Sequence, residues 1–291
     1  MLKSICLSGG GITGFAHIGV LQLLHEKNLL KRIDTIVGTS IGAVVGTLYG
    51  LGIVPNDIFN AFANINDNAL LKYTDLDSFF QSYGIDTGEY FMAYLVDIFL
   101  QHNANPLITF KNYQKIYGKR LVLTGSNITK HETEYFSTVN TPDMRVLDAI
   151  RISISIPFLF SAVKYNNHVY VDGGITDNYP LQYCINDFVT RYPHENPLEC
   201  VLGCNIESLF PRKIVSIEDF IYNIFACSVK KDRRDTTTTR NTIFIEMEIH
   251  STEFSVTLNK RRNMFEIGYE RACIYLKTKK PSIKRRHSSI F

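Results

Sequence analysis

Tryptophan is absent from this 291-residue chain, and its formal charge at pH 7 is only +3. So weak a positive balance gives no footprint for nucleic acid, and no such partner is expected. Hydrophobic residues make up 45% of the chain and charged residues 20%, which fits a globular protein rather than a disordered one. Paired cysteines are also lacking. Six are scattered along the chain, and only Cys200 and Cys204 are near neighbours, spaced C-x3-C with no second pair beside them. Zinc needs four converging ligands, so no metal or other cofactor is expected; in a strand that spacing puts both thiols on one face, as core. The opening MLKSICLSGGG has too short an apolar run for a signal peptide. Reduced thiols and a cytoplasmic location follow as expectations.

Long uncharged runs are nearly missing. The exception, Ile36 to Val54, is about the length that spans a bilayer, and Gly38, Gly42, Gly46 and Gly50 repeat at the spacing on which membrane helices pair. Two features oppose a glycine-zipper span. Glycine is a poor helix former, and five glycines leave little greasy surface for lipid tails. The run also divides. Ile33, Ile36 and Val37 read as a short buried strand, Thr39-Ser40 as a polar pair between glycines, and the stretch from about Ile41 as a helix able to pack closely on a sheet. The soluble reading is the one adopted.

Three glycine-bearing motifs stand out. Gly38-Thr39-Ser40-Ile41-Gly42 has the form G-x-S-x-G, which holds a serine hydroxyl out on a tight strand-to-helix turn, although many such pentapeptides are plain turns. Ser8-Gly9-Gly10-Gly11-Ile12-Thr13-Gly14 joins a short apolar run to a helical segment whose Phe15, Ile18, Leu21 and Leu24 share a face. Its bare amides suit an anion or an oxyanion. A phosphate is the competing guest, but the loop lacks both the P-loop ending and the dinucleotide spacing; a tight turn remains the plain alternative. Asp172-Gly173-Gly174 follows an apolar run and by itself reads as a hairpin turn. As a base for Ser40, Asp172 is the best-placed candidate. Among the histidines, His17 and His25 belong to the first helix, and only His168 was weighed as a base. Nothing forms a Ser-His-Asp triad.

In the order GGGITG, GTSIG, DGG, with AIRISISIPFLF (149–160) and VYVDGGITDNYPL (169–181) between and around them, the sequence resembles the patatin-like phospholipase family. The likeness runs from about Lys3 to Leu181. It implies a three-layer α/β/α fold with a central, largely parallel sheet and a nucleophile elbow. It implies a catalytic dyad with Ser40 as nucleophile and Asp172 as base, an oxyanion hole from Gly9, Gly10 and Gly11, and motif support from Gly14, Gly38, Gly42, Gly173 and Gly174. It implies a lipid substrate and no metal. Thr13 departs from the pattern, because family members commonly carry Arg or Lys there. A dyad of this kind makes a physical demand: a carboxylate with an ordinary pKa near 3.9 is a weak base, so its surroundings must raise its proton affinity.

Elsewhere the patterns are less particular. PNDIFNAFANI reads as a helix with Ile58, Phe59, Phe62 and Ile65 inward. EYFMAYLVDIFLQ (89–101) is a core helix or, through Phe91 and Phe99, a lip of an acyl pocket or a membrane-touching surface. RLVLTGSNI, ETEYFSTV, LECVLGCNI and TIFIEMEI read as strands. Ser153 and Ser155 read as packing residues, and Asp177-Asn178 as a helix cap ahead of Pro180. A helix near 216–229, a charge-dense loop at 230–241 and a long helix from Leu258 complete one expected domain over 1–278, with its core at 3–206 and a divergent part at 207–278. The tail 279–291 is basic; a solvated, disordered segment, a peripheral contact with anionic lipid and a nuclear address are its three readings. A lipid acyl-ester hydrolase of phospholipase A or lysophospholipase type is the leading expectation. A triacylglycerol lipase or transacylase and a catalytically silent lipid binder are the alternatives.

Overall fold

A computed structural model of the chain describes residues 1–63, 65, 82–208, 214, 223, 240–247 and 256–279. The tail from 280, nearly all of the loop at 230–241 and nearly all of the helix expected near 216–229 lie outside the described residues. In chain order the strands are β1 (Ser4–Leu7), β2 (Thr35–Gly38), β3 (Gly84–Asp86), β4 (Arg120–Asn127), β5 (Glu132–Ser137), β6 (Phe158–Phe160), β7 (Val163–Tyr165), β8 (His168–Asp172), β9 (Val201–Ser208) and β10 (Thr242–Met247). The helices are α1 (Phe15–Glu26), α2 (Ile41–Gly50), α3 (Pro55–Ala63), α4 (Glu89–Gln101), α5 (Phe110–Tyr117), α6 (Val146–Ser153), α7 (Gly174–Asp177), α8 (Leu181–Arg191), α9 (Pro197–Cys200) and α10 (Leu258–Lys279).

Alternation along the central strands explains the layering. Ile5 and Leu7 of β1, Ile36 of β2, Leu121 and Leu123 of β4 and Leu202 of β9 enter a large core on one face. Their neighbours Cys6, Val37, Val122 and Val201 enter a smaller core on the other, with Leu181, Cys184 and Phe188 of α8. Strands apolar on both faces must be covered on both, and that produces the expected three-layer α/β/α arrangement. The sheet order is β10-β9-β1-β2-β4-β8-β7, with β5 beside β4. From β10 to β4 the pairings are parallel; β5, β7 and β8 pair antiparallel.

The uncharged run behaves as a sheet-packing element. Its helix, α2, is short, and a Cβ at Gly42 would come within 2.5 Å of the Leu7 and Ser8 carbonyl oxygens, one at Gly46 within 2.7 Å of Ile36. Among the described residues no helix is long and apolar enough to cross a membrane. Glycine does mediate one helix–helix contact, between α1 and α10. A Cβ at Gly19 would strike the Phe265 carbonyl, and one at Gly268 the Ala16 carbonyl. In the described late part of the chain β10 pairs with β9, and Ile243, Ile245, Met264 and Ala272 join the large core.

Some local expectations need correction. Pro180, not Asp177 or Asn178, precedes α8, and no side chain caps that helix; the Asp177 carboxylate instead accepts a bond from the Tyr135 hydroxyl at 2.7 Å. The strand expected at 198–206 begins only at Val201. Cys200 therefore ends α9, and it and Cys204 enter opposite cores rather than one strand face. In α4, Phe99 is fully buried, so it is core and not lip.

Candidate active site

Strand β4 is the template on which the site is assembled. Strand β2 runs parallel to it, with Gly38 beside Leu123. Strand β8 runs antiparallel, with Asp172 beside Gly125. Because β5 pairs along the opposite edge of β4 from Val122 to Asn127, β2 and β8 share one edge and run head to head. Their C-terminal ends meet two residues apart on β4. Ser40 lies just past the end of β2, and its Oγ donates to Asp172 Oδ2 at 2.7 Å.

The turn that carries Ser40 is held from several sides. Its backbone, φ 53 and ψ −123, is a conformation that L-residues avoid and that persists only where surroundings enforce it. Its N–H donates to Ser153 Oγ at 2.9 Å, and its carbonyl accepts from Ala43 N at 2.9 Å, the first turn of α2. Thr39 Oγ1 donates to the Asp177 carbonyl at 3.1 Å. Gly38 and Gly42 are required by close approach: a Cβ at Gly38 would lie 2.6 Å from the Gly42 oxygen.

Asp172 is 5% exposed. Its Oδ1 accepts from Gly174 N at 2.7 Å, its N–H donates to the Ser155 carbonyl at 2.8 Å, and its carbonyl accepts from Ser126 Oγ at 2.8 Å. A side chain at Gly173 would strike the Thr124 carbonyl, so glycine lets this turn lie against β4. Burial pushes the Asp172 carboxyl up to about 7, against the opposing pull of the bonds from Ser40 and Gly174. The proton affinity that a dyad demands is thus supplied by desolvation.

The glycine loop lies alongside. Gly9 N–H donates to the Asn178 carbonyl at 3.0 Å, whereas the amides of Gly10 and Gly11 have no partner among the described residues. Gly11 takes φ 54 and opens a short 3-10 turn, Gly11–Gly14, into α1. Thr13, where a basic residue was the commoner choice, is buried and turns inward: its N–H and Oγ1 both donate to the Gly10 carbonyl, at 3.1 and 2.7 Å. Gly14 abuts Ile41, the first residue of α2; an added Cβ would clash there. Behind the loop, His17 Nε2–H donates to the Ser8 carbonyl at 2.8 Å. Burial pushes this imidazole down to about 4, so it is neutral at pH 7 and holds the loop. Among the described residues no histidine is bonded to Ser40 or Asp172, and no cluster of His, Cys, Asp and Glu could hold a metal ion.

Ser40 opens on a cavity of about 110 Å³, and among the described residues on its wall it alone bears a hydroxyl. Otherwise the lining is glycine, isoleucine and valine with aromatic rings, including Phe15, Val45, Phe62, Phe91, Ile154 and Phe160. Such a surface suits a hydrocarbon chain and offers nothing to a charged group. Phe91 of α4 is therefore on the wall.

Sequence reasoning left out three supports of this geometry. Ser153, read as packing, accepts the Ser40 N–H. Asn178 lies between the glycine loop and the Asp172 turn, since a Cβ at either Gly9 or Gly174 would meet its Oδ1. His17 anchors Ser8. For Ser153 and His17 the signal was a polar residue within an apolar segment, and for Asn178 its place just after the DGG motif, but nothing local names their partners.

Comparison with known proteins agrees with this architecture. A family profile described as patatin-like phospholipase matches residues 5–185. A probable lipid hydrolase of Invertebrate iridescent virus 6 is 32% identical over 188 residues, covering 63% of this chain and 63% of the relative. A lysophospholipase of Meyerozyma guilliermondii, NTE1, is 29% identical over 180 residues, 61% of this chain but 11% of the relative. The matches thus span less than two thirds of these relatives' length. The crystal structure of VipD from Legionella pneumophila superposes with a TM-score of 0.65 at 18% identity, over 95% of this chain and 67% of that one. With the profile covering more than half of the sequence and the fold shared, the chain belongs to the patatin-like phospholipase family.

Proposed function

We propose that this chain hydrolyses acyl esters of lipids, of phospholipase A or lysophospholipase type, through a Ser40–Asp172 dyad. The observation that carries the reading is the 2.7 Å bond from Ser40 Oγ to a buried carboxylate, made at the wall of an apolar cavity. With the acyl chain in the cavity, Ser40 Oγ attacks the ester carbonyl carbon and its proton passes to Asp172 Oδ2. The free amides of Gly10 and Gly11 receive the developing oxyanion, while Gly9, tied to Asn178, fixes their loop. Each such donor contributes about 3–4 kcal/mol to the transition state, enough to offset a modest base. Collapse expels the alcohol, which takes the proton from Asp172. Water then loses a proton to Asp172, attacks the acyl-serine carbonyl, and releases the fatty acid while Ser40 regains its proton.

Relatives carry lysophospholipase names and, in one case, a triacylglycerol lipase name, so both the phospholipid class and a neutral glyceride enter the test. The test is turnover of phospholipid, lysophospholipid, triacylglycerol and p-nitrophenyl esters by wild type and by folded Ser40→Ala. Wild-type release of fatty acid from the phospholipid class, lowered at least about 10³-fold by the substitution, is expected. Full activity in Ser40→Ala would overturn the assignment.

A further inference from the structure

The wall of the cavity is fastened from outside the segment matched by the family profile. Phe62 and Ile65, at and just beyond the C-terminal end of α3, both line it. A helix end leaves its last carbonyls without intrahelical donors, and buried carbonyls need partners. Here the partner is Arg261 in the first turn of α10, 3% exposed. Its Nη1 lies 2.9, 2.7 and 3.2 Å from the carbonyl oxygens of Phe62, Ala63 and Ile65. The guanidinium carbon is 5.9 Å from the ring centroid of Phe15, another lining residue. Phe59 packs edge-on against both Phe15, at 5.6 Å, and Phe265 of α10, at 5.1 Å. Arginine is suited to this place because a positive charge favours the carbonyl end of a helix and its donors reach several acceptors at once.

From this arrangement we infer that Arg261 is a specificity-determining residue: by clamping the end of α3 it fixes the Phe62–Ile65 wall and thereby sets which acyl chains the cavity accepts. Among the described residues no bond joins it to Ser40 or Asp172, and its influence on the site passes through the wall. The inference rests on the reading that this cavity receives the acyl chain. A loosened wall loses shape against the distal carbons of a long chain, whereas a butyryl group, held near the nucleophile, depends on it less.

The experiment is a chain-length profile, kcat/KM on p-nitrophenyl esters from C4 to C12, for wild type, Arg261→Lys and Ile65→Trp, with near-ultraviolet circular dichroism and Tm as fold controls. For folded Arg261→Lys the ratio of C12 to C4 activity is expected to fall about tenfold, mainly through KM. Filling the cavity in Ile65→Trp should move the optimum to shorter chains, and Arg261→Gln, which keeps an amide donor for the same carbonyls, takes the place of the lysine variant if that one does not fold. A uniform fall at every length, or an unchanged profile, in a folded arginine variant would overturn the inference while leaving the dyad intact. Wild-type protein inactive on every ester would overturn the acyl reading and this inference with it.

Discussion

Asp172 and Asp177 are five residues apart, and each accepts a hydroxyl bond at 2.7 Å, from Ser40 and Tyr135 respectively. Burial raises the proton affinity of both. Their surroundings separate them. The partner of Asp172 is an aliphatic hydroxyl on the wall of an apolar cavity. The partner of Asp177 is a phenol stacked on Tyr183, with ring centroids 3.9 Å apart and packed against the smaller core on the other face of the sheet. That phenol is itself pushed far up by desolvation and by the Asp177 charge, so it keeps its proton. Under the proposed dyad, a raised carboxylate pKa is therefore not enough to make a catalytic base. The shared hydroxyl must also face a space where an electrophile fits.

The comparison is broken most severely at Asp172. In Asp172→Asn the side-chain oxygen keeps the Gly174 bond and the amide donates to Ser40, so the site folds without a base. Turnover should fall at least about 10³-fold. Stability should move the other way. The Asp172 pKa is raised from 3.8 to about 7, so its stabilising contribution is present at low pH and is lost as pH rises through about 7. The variant lacks that loss. Thermal melts should show its Tm, relative to wild type, higher by a few degrees at pH 8 than at pH 5. An equal offset at both would mean that the carboxyl does not titrate in this range.

Asp177→Asn sharpens the contrast with a smaller effect. The oxygen of the new amide keeps the Tyr179 N–H and its nitrogen donates to the Tyr135 oxygen, so two bonds to a carboxylate become two weaker neutral ones. A cost of about 1 kcal/mol, read as a Tm lower by about 2–4 °C, is expected with turnover within about threefold of wild type. A loss of turnover comparable to that of Asp172→Asn would erase the distinction drawn between the two carboxylates.

Much of this was readable before the structure, and the reason is local. A strand, a glycine turn and a helix write their junction into a few consecutive residues, and three such junctions in a fixed order carried Ser40, Asp172 and the glycine loop. The uncharged run was resolved the same way, because Gly42 and Gly46 pack on the strands just beneath them. What stayed hidden is long-range. The bond between Ser40 and Ser153 crosses 113 residues, and that between Arg261 and Phe62 crosses 199. No periodicity marks either pair. The inward turn of Thr13 and the commitment of the Gly9 amide were hidden too, since motif text states which glycines are present and not which amides are already bonded.

The assignment of the dyad meets its most direct test in covalent labelling. Wild type and Asp172→Asn would be exposed to an alkyl fluorophosphonate across pH 5–9 and followed by intact-mass spectrometry and peptide mapping. The account predicts a single adduct on Ser40, forming faster as pH rises through about 7 and not forming in Asp172→Asn on the same timescale. An adduct on another residue, or an unlabelled Ser40 in protein that turns over lipid esters, would contradict it.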